Sequence, residues 1–566
     1  MRDRRARTTA LPHSGAGNRK SRASQRFRAW PAALFGAFLV LAAAGCTGAG
    51  QWYRNGFKVG PNYRRPPGPV SSQWIDAADR RVVPAPPVDC WWMQFNDPAL
   101  DELIDVASRQ NLDLQTAGTR ILEARAKRGI AAGNLFPQSQ SAVGTYVRGN
   151  FGQNLGFPLP RQFNLFADGF NASWEADFWG RYRRTILSSQ ATLEASVEGY
   201  RDALVMLLSD VATSYVQYRT FQQRLEYARR NVEIQRGTFD LAKAKFDAGA
   251  TTELDVAQAK SSLAQTESTI PALEIGMRQS ANSLCILMGL PARDLSEMLQ
   301  VRPIPRAPVE VAVGIPADLL RRRPDVRQAE RAIAAQSEQI GIALADLYPR
   351  LSINGFLGYA ASDLKDLFAS KSFTGVIFPT FQWNILNYGR IMNNVRAQDA
   401  NLRGTVLTYQ QTVLRAGREV EDSLVAFLQT QVQAKRLEES VAAAERSVQI
   451  VREQYQGGVT DFNRVYNAQS TLVAQQDQLA SAQGAIALNL IAVYKALGGG
   501  WQCFGGALGG PGSACPPGSG SPRFASAPGV APQPKMAKSP QVGLAADGRV
   551  ARRSGSKIAN LPEVSR

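Results

Sequence analysis

The sequence predicts an α+β protein in which one unit, a pair of β-strands followed by a very long helical hairpin, occurs twice. Three observations predict this fold class: a recurring phrase, strict alternation of apolar and polar residues in short segments, and helical periodicity over roughly 65 residues. The phrase AGATTELDVAQAKSSL, residues 248–263, returns as GGVTDFNRVYNAQSTL, residues 457–472. Gly458 follows Gly249 by 209 residues, and Leu472 follows Leu263 by the same offset, so the two phrases are copies.

The first 45 residues are organised like an export signal. Basic residues precede the apolar run PAALFGAFLVLAAAG, which is too short for a membrane-spanning helix and ends in small residues before Cys46. This arrangement resembles a bacterial lipoprotein cleavage site, with Cys46 as the lipidated first residue of the mature chain, although Ala43 stands where such sites usually have leucine. The alternative is an ordinary signal peptide beside a chance cysteine.

The formal net charge of +18 lies mainly at the two ends of the chain. The leader carries about +8 and the segment after Trp501 about +6, which leaves only about +4 for the body. The basic composition therefore gives no reason to expect a nucleic-acid partner. Residues 502–566 are rich in Gly, Pro, Ser and Ala, and we expect them to form a disordered tail.

Few side chains are available for catalysis or metal binding. The single histidine, His13, lies in the leader, which excludes histidine-based triads and histidine metal sites from the mature chain. No carboxylate lies in a catalytic motif, so we expect no enzyme activity, no metal and no cofactor apart from the covalent lipid on Cys46. Cys503 and Cys515 can pair in an oxidising compartment, whereas Cys285 is expected to be a buried apolar side chain.

The elements follow the same order in both halves of the body. Residues 46–97 are predicted to form a lipidated, extended, proline-rich segment on a surface. The first repeat, 98–310, begins with a helical pattern that is broken near Asn111 and stopped by Pro137. The second repeat, 311–501, is expected to repeat this order of elements.

Each repeat then contains two segments with the period of a β-strand. In FNASWEADFW, Phe170, Trp174 and Phe178 fall on one face, and Glu175 and Asp177 fall on the other. Weaker versions occur at 142–147, 351–359 and 380–385. Such segments suit tilted strands of a membrane β-barrel, with aromatic side chains facing lipid and acidic side chains facing the lumen. The predicted fold class is therefore an α+β membrane protein.

A long helical pattern follows each pair of strands, at about residues 181–246 and 390–455. At 1.5 Å per residue, each helix would be about 100 Å long. Gly249 and the pair Gly457-Gly458 end these patterns, and a second helix then returns along the first. Because small membrane barrels need about eight strands, four strands cannot close one, and several chains must share a barrel.

Seven phrases between Cys46 and Trp501 resemble, in order, the outer membrane factors, the TolC-like exit ducts of tripartite efflux systems, and specifically their lipoprotein branch. The phrases are VGPNYRRP, WWMQFNDPALDELIDVASRQNLDL, SWEADFWGRYRR, FDAGATTELDVAQAKS, LLRRRPDVRQAERAIAAQ, LADLYPRLSINGFLG and YKALGGGW. The resemblance implies a homotrimer with a twelve-stranded β-barrel in the outer membrane, continued by a periplasmic α-helical barrel. It also implies a passive duct that works with a periplasmic adaptor and an inner-membrane pump of the RND type.

The resemblance also gives roles to the two turns between long helices. The residues implied to meet the adaptor are Gly249, Ala250, Thr251, Thr252, Gly457, Gly458, Val459 and Thr460. The family's aspartates at the periplasmic aperture fall at Arg464 and Asn467, whose counterparts in the first hairpin are Asp255 and Gln258. A ring of Arg464 side chains would favour anions at the mouth; the alternative is a solvated helix residue paired with an acid such as Asp255.

Other classes of protein share part of this pattern. A periplasmic adaptor lipoprotein, or a structural coiled-coil envelope protein, would also have a lipid anchor or a coiled-coil hairpin. An adaptor would normally have one hairpin flanked by small β-domains, whereas this sequence has two hairpins with amphipathic strands between them. A carboxylate-based hydrolase has no support beyond the presence of Asp and Glu residues.

Overall fold

The computed structural model describes residues 49–150 and 162–507. The export signal, Cys46, Cys515 and the tail beyond Ala507 lie outside the described residues.

The elements are given in chain order. The N-terminal segment contains α1 (Ala49–Arg54), β1 (Val82–Val83) and a 3-10 turn at Trp91–Phe95. The first repeat contains α2 (Pro98–Gln110), α3 (Leu112–Gly133), β2 (Ser139–Asn150), β3 (Gln162–Glu175), α4 (Arg181–Asp247) and α5 (Glu253–Leu287). The connecting segment contains α6 (Ser296–Leu299), β4 (Val311–Ala312), a 3-10 turn at Pro316–Asp318 and α7 (Leu319–Arg322). The second repeat contains α8 (Pro324–Ala345), β5 (Arg350–Ala361), 3-10 turns at Leu364–Asp366 and Ser370–Ser372, β6 (Phe373–Gln382), α9 (Arg390–Gln456) and α10 (Phe462–Ala496), followed by a 3-10 turn at Trp501–Ala507.

The two helical hairpins have identical lengths. Helices α4 and α9 each contain 67 residues, and α5 and α10 each contain 35. Every boundary of the second hairpin lies 209 residues after the matching boundary of the first. The duplicated helical hairpin predicted from the recurring phrase is therefore present, with the same register along its full length.

Spacing of apolar residues explains why these helices pack along their length. On α4, Leu204, Leu207, Val211, Tyr215 and Tyr218 recur every three or four residues, and all are buried. They belong to the main core, which also takes in side chains of α9, α10 and the N-terminal segment. Helix α10 is the one described helix long and apolar enough to cross a membrane, but 56% of its most apolar window is buried, as in a core helix.

The four long strands form one antiparallel sheet in the order β2-β3-β5-β6. Phe170 lies opposite Leu357, and Trp174 lies opposite Ile353, so these side chains share one face. The other face is polar near its middle. There, Ser173 hydrogen-bonds to Asn354 at 2.7 Å, and the Asn354 amide donates to Thr380 at 2.9 Å. The sheet therefore has an apolar face and a partly polar face, as the alternation predicts.

The ends of two strands differ from the prediction. Strand β3 ends at Glu175, and the Asp177 carboxylate binds the start of α4 instead of a strand face, accepting from the amides of Tyr182 and Arg183 at 2.9 and 3.0 Å. Phe178 packs beside Trp52, with ring centroids 5.0 Å apart. The interpretation of Asp177 and Phe178 as strand residues is therefore wrong, because the first turn of a helix attracts a carboxylate.

The fourth strand also starts earlier than the prediction. The segment 380–385 was expected to form it, whereas β6 runs over Phe373–Gln382. Apolar side chains on both faces of β6, among them Ile377 and Phe378, hide the period of two. Trp383 ends the strand, since its indole donates to the carbonyl of Leu347 at 2.9 Å.

The N-terminal segment is more structured than a simple extended strap. Besides α1, it contributes β1, which pairs in parallel with β4. The fully buried side chain of Arg184 fixes the segment near Gly60, whose carbonyl accepts from its Nη2 at 2.8 Å. Glu338 balances the charge, with its carboxylate 2.6 Å from Arg184 Nη1. A buried charge requires such pairing, so Arg184 ties this segment to both α4 and α8.

The structure answers the question that the sequence leaves open about Cys503. Cys503 forms a disulfide with Cys90 and not with Cys515, and the two Cα atoms are 5.9 Å apart. Folding brings together two cysteines that are separated by 413 positions in the sequence. Cys285 is a free, fully buried cysteine, as predicted.

Asp202 on α4 is partly buried and forms no salt bridge among the described residues. Its pKa is raised to about 6, mainly by burial and also by the Asp325 carboxylate, whereas Arg323 and Lys495 act to lower it. The folded protein therefore binds a proton that the unfolded chain releases as the pH rises above its ordinary pKa of 3.8. This group lowers the free energy of unfolding as the pH rises from about 4 to about 6.

We expect Asp202→Asn to remove this pH dependence. The variant should be more stable than the wild type at pH 7.5, and the difference should shrink at about pH 4.5 because Asp202 is then protonated in the folded wild type. Thermal unfolding in detergent at both pH values measures this, with the exposed Asp240→Asn on the same helix as the control. An equal difference at both pH values would contradict the assignment.

Candidate functional site

The two turns between the long helices have the same backbone structure. Gly249 has a φ of 71° and Gly458 a φ of 74°, in the left-handed region that favours glycine. In both turns the next amide donates to the carbonyl five residues earlier, at 2.8 Å from Ala250 and 2.9 Å from Val459. This is the arrangement in which a glycine closes the C-terminus of a helix. Both 67-residue helices therefore end at the same residue of the repeat.

The returning helices begin differently. In the second turn, Asp461 caps α10 by accepting a hydrogen bond from the amide of Arg464 at 3.2 Å. In the first turn, Thr252 makes no side-chain cap, and the hydroxyl of Thr251 donates to the carboxylate of Asp255. The carboxylate of Asp255 is therefore bound within its own turn.

A small apolar cluster joins the two hairpins just above the turns. The ring of Tyr455 packs edge-on against Phe462, with centroids 5.5 Å apart, and both side chains are buried. The full cluster consists of Ala242, Ala259, Tyr455, Phe462 and Val465, with Phe239, Leu241, Val451 and Tyr466 at its margin. Because its members come from all four long helices, the cluster fixes one turn against the other.

Lys245 and Tyr455 connect the hairpins by polar contacts at the same level. The ammonium group of Lys245 donates to the carbonyl of Tyr455 and lies 4.5 Å from the centroid of its ring. Burial raises the pKa of the Tyr455 phenol, whose polar neighbours are Thr251 and Asp255. The hydroxyl of Tyr455 is buried and makes no hydrogen bond of normal geometry to the described residues. The Tyr455 hydroxyl therefore lies beside the Thr251–Asp255 pair of the first turn.

Three further polar side-chain pairs join the two hairpins at positions farther from the turns. This polar ladder, between α4 and α10, comprises Arg224–Asp477 at 2.7 and 3.0 Å, Asn231–Gln476 at 2.8 Å and Thr238–Gln469 at 2.9 Å. Its members on α4, together with Lys245, recur every seven residues. A heptad spacing keeps them on one side of a helix that packs against a partner. The ladder therefore extends along the boundary between the two hairpins from Thr238, near the turns, to Arg224.

Within each hairpin, apolar clusters lie between the two helices. Leu225 packs with Leu273 in the first hairpin, and Val441 and Val448 belong to one cluster with Leu479 in the second. Separating apolar surfaces exposes them to water, whereas separated polar side chains can hydrogen-bond to water instead. Each hairpin therefore has an apolar cluster of its own, and the ladder adds buried polar contacts between the two hairpins.

The residues predicted at the aperture lie one turn into each returning helix. Arg464 and Asn467 are exposed on α10, and Arg464 forms no salt bridge within the described part of the chain. The alternative pairing of Arg464 with Asp255 is not formed within the chain, because Asp255 binds Thr251. Gln258 is partly exposed on α5. The turns thus present a cation on the second hairpin at the position where the first has an acid.

Candidate metal ligands do not cluster in the described residues: no group of three or more His, Cys, Asp or Glu side chains could hold a metal ion there. The turn region instead provides two exposed turns, the charged side chains of Arg464 and Asp255, and the apolar cluster that joins the two hairpins.

Sequence reasoning located the turns but missed the polar ladder. The available signal was a polar residue at every seventh position of α4, from Arg224 to Lys245, beside the apolar seam. It was not used because polar residues on a long helix usually face water. Their burial, as at Asn231 and Thr238, is visible only in the structure.

Comparisons with known proteins match nearly the whole body. The sequence pattern of the family described as outer membrane efflux protein matches residues 103–290 and 315–499. Nodulation protein T of Rhizobium leguminosarum bv. trifolii is 31% identical over 458 residues, which cover 79% of this chain and 95% of that protein. The pyoverdine export outer membrane protein OpmQ of Pseudomonas putida is 30% identical over 420 residues, which cover 73% and 88%.

A solved structure gives the same result for the fold. The outer-membrane channel OprN is similar with a TM-score of 0.75 and 31% sequence identity. The match covers 78% of this chain and 99% of that chain.

We expect Asn231→Leu to destabilise the protein by about 1–3 kcal/mol, because it leaves the buried amide oxygen of Gln476 without its donor. The double variant Asn231→Leu, Gln476→Leu should recover much of this loss, since both partners are then apolar. A double-mutant cycle from denaturant unfolding in detergent measures the coupling. Additive losses would show that the pair does not act as a unit.

Proposed function

The chain belongs to the outer membrane efflux protein family, and from this premise we propose that it is the exit duct of a tripartite efflux system, docked to a periplasmic adaptor and an inner-membrane pump of the RND type. It is an outer membrane efflux protein with a periplasmic helical domain. The observation that carries the proposal is the combination, in one chain, of an amphipathic four-stranded sheet with two hairpins of equal length.

The open edges of the sheet support a homo-oligomer. Strands β2 and β6, of 12 and 10 residues, have no strand partner on their outer edges in the described chain. Lipid cannot satisfy backbone amides and carbonyls, so β6 of one copy pairs with β2 of the next. Three copies would supply the twelve strands that the family resemblance implies. Native mass spectrometry of the detergent-solubilised protein counts the chains, and any number other than three would contradict the homotrimer.

The two faces of the sheet support an orientation in the membrane. Phe170 and Trp174 share the apolar face with Leu357 and Ile353, and we assign this face to lipid. Glu175 lies on the opposite face with Ser173, and we assign that face to the lumen. Quenching of tryptophan fluorescence by lipids brominated in the acyl chain tests the position of Trp174.

Lipidation of Cys46 would anchor the mature chain to the outer membrane in addition to the barrel. The apolar run that ends in Ala-Ala-Gly before Cys46 supports this assignment. Intact-mass measurement of the mature protein tests it, because an acylated N-terminal cysteine and an unmodified N-terminus differ by the mass of the acyl chains.

The paired turns are the part of the duct proposed to dock the adaptor. Residues Gly249 to Thr252 and Gly457 to Thr460 lie at the end of helices about 100 Å long, opposite to the end that leads to the sheet. The shared glycine geometry gives both turns one backbone shape, so one partner surface can bind either. The adaptor alternative for this chain is set aside because the family match extends over both repeats.

Arg464 is proposed to face the aperture together with Asn467, Asp255 and Gln258. Arg464 is exposed and forms no ion pair in the described chain. Both facts support this role, because no nearby carboxylate neutralises the positive charge of its guanidinium group. Like charges from several copies would lie near the axis and repel one another, which favours opening and attracts anions.

We expect Thr460→Trp to release the adaptor while leaving insertion and oligomer level unchanged, because the added bulk lies in the turn and far from the sheet. Co-purification from crosslinked native membranes, followed by mass spectrometry, measures adaptor and pump per duct. The matched control is Thr116→Trp, which places the same bulk at an exposed position of α3. Undiminished recovery of the adaptor with Thr460→Trp would show that docking occurs elsewhere.

We expect Arg464→Asp to shift the ion preference of the open duct from anions toward cations. Reversal potentials in planar bilayers under a salt gradient measure this preference. The control is Arg446→Asp, which makes the same charge change at an exposed position of α9. A reversal potential equal to that of the wild type would mean that Arg464 faces away from the pore.

A further inference from the structure

The two ends of the body are joined by a covalent bond. Cys90 precedes the 3-10 turn Trp91–Phe95, Cys503 lies in the 3-10 turn Trp501–Ala507, and their sulfurs form a disulfide across 413 residues. Both cysteines are partly exposed, whereas Cys285 is fully buried. A partly exposed disulfide can be reached by another thiol, and a buried cysteine cannot.

Non-covalent contacts hold the two cysteines next to each other. Trp91 stacks on Tyr494 with ring centroids 5.7 Å apart, and Trp92 stacks on Phe504 at 6.0 Å. The indole of Trp501 donates to the carbonyl of Arg322 at 3.0 Å. None of these contacts involves a sulfur atom, so they can hold Cys90 and Cys503 close together in the reduced chain as well.

We propose that Cys90 and Cys503 are substrates of a periplasmic thiol–disulfide oxidoreductase, and that their bond latches the C-terminal segment onto the N-terminal segment. The thiolate of one cysteine attacks the disulfide of the oxidoreductase, forms a mixed disulfide and releases one enzyme thiolate. The second cysteine thiolate attacks the sulfur of the first, forms the Cys90–Cys503 bond and releases the enzyme as a dithiol. In sum, two protons and two electrons pass from the two cysteines to the oxidoreductase, whose disulfide is reduced to two thiols.

The position of Cys503 makes this latch a late step. Export proceeds from the N-terminus, so Cys503 reaches the periplasm only after both repeats have crossed the inner membrane. The bond then encloses both repeats in one loop, which restricts the unfolded chain and raises the stability of the folded one. Cys515, 12 residues beyond Cys503, is the competing partner by sequence spacing. The inference depends on the outer-membrane location and not on the proposed adaptor or pump.

Peptide mapping without reduction tests the pairing. Trypsin gives one peptide with Cys90, residues 82–109, and one with both Cys503 and Cys515, residues 496–523. Chymotrypsin separates the latter two cysteines by cutting after Phe504. We expect Cys90 linked to Cys503 in wild-type cells and about a tenfold loss of this link in cells without the oxidoreductase. A Cys503–Cys515 link, free thiols in wild-type cells, or an undiminished link in the deletion strain would overturn the proposal.

Thermal unfolding in detergent tests the latch. Reductant should lower the unfolding midpoint of the wild type by several degrees, to the value of the double variant Cys90→Ala, Cys503→Ala. The double variant itself should not respond to reductant. Cys285→Ala is the matched control, because it removes a cysteine but should keep the response. If reduction of the verified disulfide leaves the wild-type midpoint unchanged, the bond is not a latch.

Discussion

Backbone hydrogen bonding in hydrocarbon is the constraint on which the rest of this structure depends. A four-stranded sheet with open edges cannot remain alone in lipid, because each unpaired amide and carbonyl on β2 and β6 carries a large free-energy cost. In the proposed assembly, copies of the chain supply the missing edge partners, and the helices that follow the strands would then lie around a common axis. Two hairpins of equal length per chain would continue such a barrel as a helical wall.

The fold was predictable where one periodicity dominates the sequence. The glycines at 249 and 458, the 209-residue offset and the apolar spacing on α4 fix both hairpins without further information. The strand ends were not predictable, because Asp177 continues the alternation of β3 but is captured by the amides at the start of α4. The Cys90–Cys503 bond was hidden for a related reason: sequence separation says little about distance once a chain is folded back twice.

The candidate site was predictable in position but not in chemistry. The recurring phrase located both turns and placed Arg464 opposite Asp255 in the repeat. It did not reveal that Asp255 binds Thr251, nor that Asn231 and Thr238 are buried between hairpins. The burial of Asn231 and Thr238 depends on how one hairpin packs against the other, and the local sequence pattern does not predict that packing.

The heptad spacing of the polar ladder limits how the length of such a wall can change. Removing seven residues from each of the four long helices would preserve both the apolar and the polar partners, and would shorten the wall by about 10 Å. Removing one to three residues would rotate Asn231 or Arg224 away from its partner on α10. The length of the helical hairpins can therefore change only in units of seven residues per helix, and each change has to occur in both repeats.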